Sequence, residues 1–122
     1  MNSCKIDIKK PKRLFLEKGE LAQIYDSAKP IRHIAYIEFV KGKTRGGHYH
    51  KRTEFFYIIR GGMLLKTVDI KTGHTLEKRV KEGDLIFLPP KIAHSFTAVK
   101  PGHVVEFSEK RFNPKDTIPW TI

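Results

Sequence analysis

At 122 residues the chain suits one domain that can bury a core without staples, and its single cysteine, Cys4, excludes an intrachain disulfide. No apolar run approaches a membrane span and the Lys-rich start is unlike a signal peptide, so a cytoplasmic protein with no membrane partner is expected. The formal charge of +11 is spread singly or in pairs, apart from Lys9, Lys10, Lys12 and Arg13, which argues against a nucleic-acid groove and fits a solvated surface or a small anionic metabolite.

Residues 1–12 read as an irregular basic lead-in that ends near Pro11. Residues 13–17 and 20–26 read as a hairpin turning at Lys18-Gly19, although Leu14, Leu16, Leu21 and Ile24 would also suit a brief helix. Residues 34–40 form a clear strand pattern, with Tyr36 and Glu38 on one face and Ala35, Ile37 and Phe39 on the other. A glycine-bearing loop, 41–47, leads into a strand with His48 and His50. Strands are then expected at 54–59, 63–70 and 76–80, turning at Gly61-Gly62 and Thr72-Gly73. A short strand, 85–88, stops at Pro89-Pro90, and two more, 94–99 and 103–109, flank Pro101-Gly102. Phe55, Tyr57, Ile59, Leu85 and Phe87 are assigned to the core. The tail, 112–122, with Pro114 and Pro119, reads as an extended arm. No linker divides the chain. Many short strands with regular turns predict an all-β sandwich or small barrel, one domain over 1–122.

Histidines two apart share a face of a strand, so His48 and His50 point the same way; Glu54 follows, and His94 comes far downstream. A single histidine is usually structural. Three imidazoles with a carboxylate instead suit one divalent metal, and Zn, Mn, Fe, Ni and Co all accept such a set.

The spacing Gly42, His48, His50, Glu54, Gly61, followed by Gly83, Pro89 and His94, resembles the two motifs of the cupin superfamily. Lys91 stands where that pattern has Gly, and Ala98 where it has Asn. The resemblance covers about 34–110 and implies a jelly-roll barrel, the double-stranded β-helix, with His48, His50, Glu54 and His94 as metal ligands. Arg45-Gly-Gly-His-Tyr-His, with 68–73, 88–96 and 107–114, is similar to cupins that epimerise or isomerise nucleotide-linked 4-keto-6-deoxy sugars. That narrower resemblance implies proton abstraction beside a carbonyl, with His48 or Tyr36 as catalytic residues. Arg45 would grip the diphosphate, while Arg60 and Lys66 have weaker claims as substrate-binding residues. The alternatives are a metal-dependent dioxygenase, a sugar-phosphate isomerase, or a small-molecule-binding cupin without turnover. Pairing through sheet edges implies a homodimer, with the N-terminal strand or the C-terminal arm at its interface.

Overall fold

Two-residue alternation governs every long element of the computed structural model, which describes residues 6–122; Cys4 and the start of the basic lead-in lie outside the described residues. Ten strands are present among the described residues: β1 (Asp7–Lys9), β2 (Arg13–Leu16), β3 (Gly19–Ala22), β4 (His33–Phe39), β5 (Thr44–Tyr49), β6 (Glu54–Asp69), β7 (Thr75–Lys81), β8 (Leu85–Leu88), β9 (Ile92–Ser108) and β10 (Ile118–Pro119). There is no helix among the described residues. Strands β2 and β3 pair only with each other. The other eight form one antiparallel sheet in the order β1-β8-β6-β9-β5-β10, with β4 added on β9 and β7 on β6. This is the all-β jelly roll expected from the motifs.

The architecture hangs on β6 and β9. The sequence predicts a glycine turn inside each, but each is one long strand, because both halves of β6 pair with β9: Phe55 to Ile58 against Phe107 to Val104, and Met63 to Asp69 against Ala98 to Ile92. Gly61-Gly62 and Pro101-Gly102 mark register shifts where the ladder bends without breaking. Gly61 has φ +115°, and a Cβ there would meet the Gly102 Cα at 2.8 Å, so the two bends are built against each other.

Both faces of β6 are buried. Phe56, Ile58, Met63 and Leu65 turn into the barrel with Ile86, Leu88, Phe96 and Val104. Phe55 and Tyr57 turn outward and pack with Leu85 and Phe107 beneath Ala22, Ile24 and Tyr25. The segment after β3 therefore covers the outer face rather than extending a hairpin. Ile59, assigned to the core from sequence, is 37% exposed because it sits where the ladder begins to shift. The lead-in is also more ordered than expected, since β1 adds to the edge of β8 (Ile8 opposite Ile86), while β10 adds to β5. Both elements expected at a subunit interface thus pair within the chain along one edge, as the end strands of the sheet.

Candidate metal centre

Three inward-facing runs meet at one end of the barrel interior. On β9 the inward set is Ile92, His94, Phe96 and Ala98; on β6 it begins with Glu54 and Phe56. On β5 the pairing of Arg45 with Phe96 and of His48 with His94 spans a register shift. Residues three apart would ordinarily face opposite sides of a strand, but the extra residue of the bulge turns Arg45 and His48 to the same side. Gly46 makes this close approach possible. It has φ +111°, and a Cβ there would lie 2.5 Å from the His94 carbonyl oxygen.

The imidazoles of His48, His50 and His94 converge, with one nitrogen of each within 4.8 Å of the others. The ring of His48 lies 4.7 Å from that of His50 and 4.9 Å from that of His94, centroid to centroid. Glu54 is 1% exposed, and its Oε1 stands 3.2 Å from His50 Nε2 and 3.8 Å from His94 Nε2. The opposite nitrogens are engaged: His50 Nδ1 donates to the Asp116 carbonyl oxygen (2.5 Å) and His94 Nδ1 donates to the Ile92 carbonyl oxygen (3.2 Å). The Nε2 lone pairs of both rings are left facing Glu54 Oε1, a buried oxygen that has no hydrogen-bond partner. Acceptors that converge in a dry interior need either a proton on one of them or a cation between them, and three imidazoles with a carboxyl offer a cation its ligands. The 3.2 and 3.8 Å separations are those of ligands held about 2.1 Å from one cation. The donor set fits a divalent metal.

Electrostatics agree. Burial pushes all three imidazoles below the usual histidine value, His94 to about 3, so they are held in the neutral form that ligates. Burial pushes the Glu54 carboxyl well above the usual range, reinforced by the neighbouring Glu106 carboxyl and opposed by Arg52.

Two of these neighbours escape sequence reasoning. Glu106 lies opposite Phe56 across the β6–β9 ladder and is partly buried. It is twelve residues from the His94 motif, and its inward phase depends on the bend at Pro101-Gly102. Arg52 is buried, with Nη2 3.0 Å from Glu54 Oε2 and Nη1 3.2 Å from Asp116 Oδ2. It reads in the sequence as one more surface cation.

Of the other residues singled out from sequence, only Arg45 comes near. Its Nε donates to the Glu38 carbonyl oxygen (3.2 Å) and its guanidinium lies 5.8 Å from the Phe39 ring, at the exposed end of the inner face. Tyr36 is not brought to the site. It faces out from β4, 62% exposed, with its hydroxyl hydrogen-bonded to His103 Nδ1, because Ala35, Ile37 and Phe39 take the inner face. Lys66 is exposed between inward Leu65 and Thr67. Arg60 is exposed opposite His103, and it helps hold the Glu20 carboxyl down after the larger effect of Arg13. Neither Lys66 nor Arg60 lines the metal cluster. A cleft of about 540 Å³ lies elsewhere, on the outer face between β1, Tyr25 and Phe87.

Comparison with known proteins identifies the fold. The Cupin domain family matches residues 35–108. A 3-hydroxyanthranilate 3,4-dioxygenase of Brucella anthropi is 39% identical over 61 residues, 48% of this chain and 34% of that protein. The chain spans about a third of the length of the dioxygenases it matches. Among solved structures, a dTDP-4-dehydrorhamnose 3,5-epimerase from Sulfolobus tokodaii superposes with TM-score 0.81 at 21% identity, covering 96% of this chain and 81% of that one. A 3,4-ketoisomerase from Helicobacter canadensis gives TM-score 0.81 at 16% identity, covering 94% and 90%. These likenesses establish the shared fold.

Proposed function

Because the chain belongs to the cupin family, we propose that it is a divalent-metal-dependent epimerase or isomerase acting on a small anionic substrate, a nucleotide-linked 4-keto-6-deoxy sugar. The observation that carries the metal is the partnerless Glu54 Oε1 facing two imidazole lone pairs beside a third imidazole. A divalent cation held by His48, His50, Glu54 and His94 would act as a Lewis acid on the sugar carbonyl.

The chain's own residues supply the rest. Arg45, on the same side of β5 as His48, offers a fork of donors to diphosphate oxygens at the exposed end of the inner face. His48 turns into the cluster, which favours the ligand role over that of free base, so proton removal from the carbon beside the carbonyl falls to Glu106. Its carboxyl adjoins Glu54 and is one of the acidic groups that reach the cluster. The buried wall of Phe56 and Phe96 around His94 limits water at the same point. Cytoplasmic residence and a homodimer belong to this reading, the second checked by light scattering.

Metal-loaded protein incubated with nucleotide-linked 4-keto-6-deoxy sugars in heavy water should place deuterium on a ring carbon, and chelator-stripped protein should not. Absence of exchange across a panel of such sugars would count decisively against the epimerase reading. A second reading, oxygenation of a small organic acid, is favoured by the 39% identity to the dioxygenase. Oxygen uptake that requires iron and a substrate, with no proton exchange, would select it.

A further inference from the structure

We propose that Asp116 is a positioning residue for the metal ligands and that the segment around it, 113–120, is a strap holding two of the four ligands in their liganding pose. The inference rests on the metal-centre reading above and concerns residues outside both sequence motifs.

Asp116 grips three consecutive residues of the 50–52 segment. Its carbonyl oxygen accepts from His50 Nδ1 (2.5 Å), its Oδ1 accepts from the Lys51 backbone N–H (2.8 Å), and its Oδ2 pairs with Arg52 Nη1 (3.2 Å). Arg52 continues inward, its Nη2 donating to Glu54 Oε2 (3.0 Å). Each end of this chain has a chemical consequence. With the His50 proton committed to Nδ1, the lone pair sits on Nε2, which faces the cluster. With Glu54 Oε2 held by Arg52, Oε1 is the oxygen left free, and it is the one aimed at the imidazoles.

The strap is fastened on both sides of Asp116. Before it, the Asn113 carbonyl oxygen accepts from the Asp116 N–H (2.9 Å), and Asn113 Oδ1 accepts from the Lys115 N–H (3.0 Å), closing a tight turn. After it, Ile118 and Pro119 pair with Tyr49 and His48, and the Trp120 N–H donates to the Gly47 carbonyl oxygen (2.9 Å). The indole packs edge-on against Tyr49, 5.8 Å between centroids. The strap therefore lies along the very strand that carries His48. No residue of 113–120 belongs to either apolar cluster, so loosening it should leave the barrel folded.

The test is Co(II) binding to chelator-stripped protein, read by its visible absorption and by competition with a chromophoric chelator. Wild type should take up one equivalent. D116A should bind about 10–100-fold more weakly, with a changed Co(II) band, while its metal-free melting temperature stays within a few degrees of wild type. D116N, whose amide oxygen can still accept from Lys51, should recover part of the loss. W120A, which loosens the strap without touching a ligand contact, should weaken binding in the same direction, and it decides the matter where D116A is too unstable to assay. Binding by D116A and W120A within about twofold of wild type, with the wild-type band, overturns the strap and leaves the metal centre standing. Failure of wild type itself to take up Co(II) overturns the metal centre, and the strap with it.

Discussion

Replacing Glu54 by Gln separates the metal role of this carboxylate from its place in the core. The side chain is 1% exposed, and an amide fills the same space. The amide oxygen can still accept from Arg52 Nη2, now 3.0 Å from Oε2. The change falls on Oε1, which becomes an N–H₂ donor facing His50 and His94 Nε2, 3.2 and 3.8 Å away, with no charge to offer a cation. Metal-free stability should therefore change little. At a free cation concentration of about 100 Kd, wild type should gain about 2.7 kcal/mol. For a domain of this size that raises Tm by about 10 °C, taking an unfolding entropy of about 2 cal/mol/K per residue. A hundred-fold loss of affinity in E54Q would leave about 0.4 kcal/mol at the same concentration, a rise of less than about 2 °C. Differential scanning calorimetry on stripped protein, titrated separately with Zn, Mn, Fe, Ni and Co, measures both. An E54Q variant that keeps the full rise refutes the assignment of Glu54 as ligand; a wild type that shows no rise with any of the five refutes the centre.

Three further outcomes follow from the geometry. G46A forces a Cβ to within 2.5 Å of the His94 carbonyl oxygen at φ +111°, so the β5–β9 ladder must open beside His48; a loss of about 3 kcal/mol in urea unfolding is expected, with the metal-induced Tm rise abolished. K91G relieves the one positive φ borne by a non-glycine residue among the described residues (+65°), where the left-handed conformation costs about 1–2 kcal/mol; after the entropy that glycine adds to the unfolded chain, a net gain of about 0.5–1 kcal/mol should appear in the same assay. Y36F removes only an exposed contact with His103, so turnover should stay within about twofold of wild type, and a large fall would place Tyr36 in the chemistry after all.

Local spacing made the centre legible where contacts are local, and hid it where they are not. His48, His50 and Glu54 lie within seven residues, and His94 follows the Pro89-Pro90 stop at the end of β8, so the cluster could be read directly. Tyr36 shows the limit of alternation: its face was read correctly as opposite to Phe39, but only the packing of Phe39 against Phe96 tells which face is inside. The glycine pairs read as turns became bends because a ladder continues through a bulge when both halves share one partner, a fact of pairing that no window of residues contains. Lys91 marks the opposite case. The family pattern has glycine there, this chain has lysine, and the backbone keeps the left-handed conformation regardless. The ends of a turn, the Lys91 N–H on the His50 carbonyl oxygen and the Lys91 carbonyl oxygen receiving the Ile70 N–H, hold it there.

Charge explains why so many polar groups share one end of an apolar barrel. Glu54, Glu106 and Asp116 outnumber the one guanidinium among them, Arg52, by two charges, and the three imidazoles add none because burial holds them neutral. An interior does not tolerate that imbalance, and the metal-free protein answers it by keeping the Glu54 carboxyl protonated far above its usual range. A divalent cation held by His48, His50, Glu54 and His94 would answer it instead with two positive charges in place of that proton. Arg52 brings one positive charge to three carboxyl groups, its two terminal nitrogens divided between Glu54 Oε2 and Asp116. The carboxylate excess and the partnerless oxygen are therefore one feature seen twice, as charge and as geometry, and both ask for the same ion.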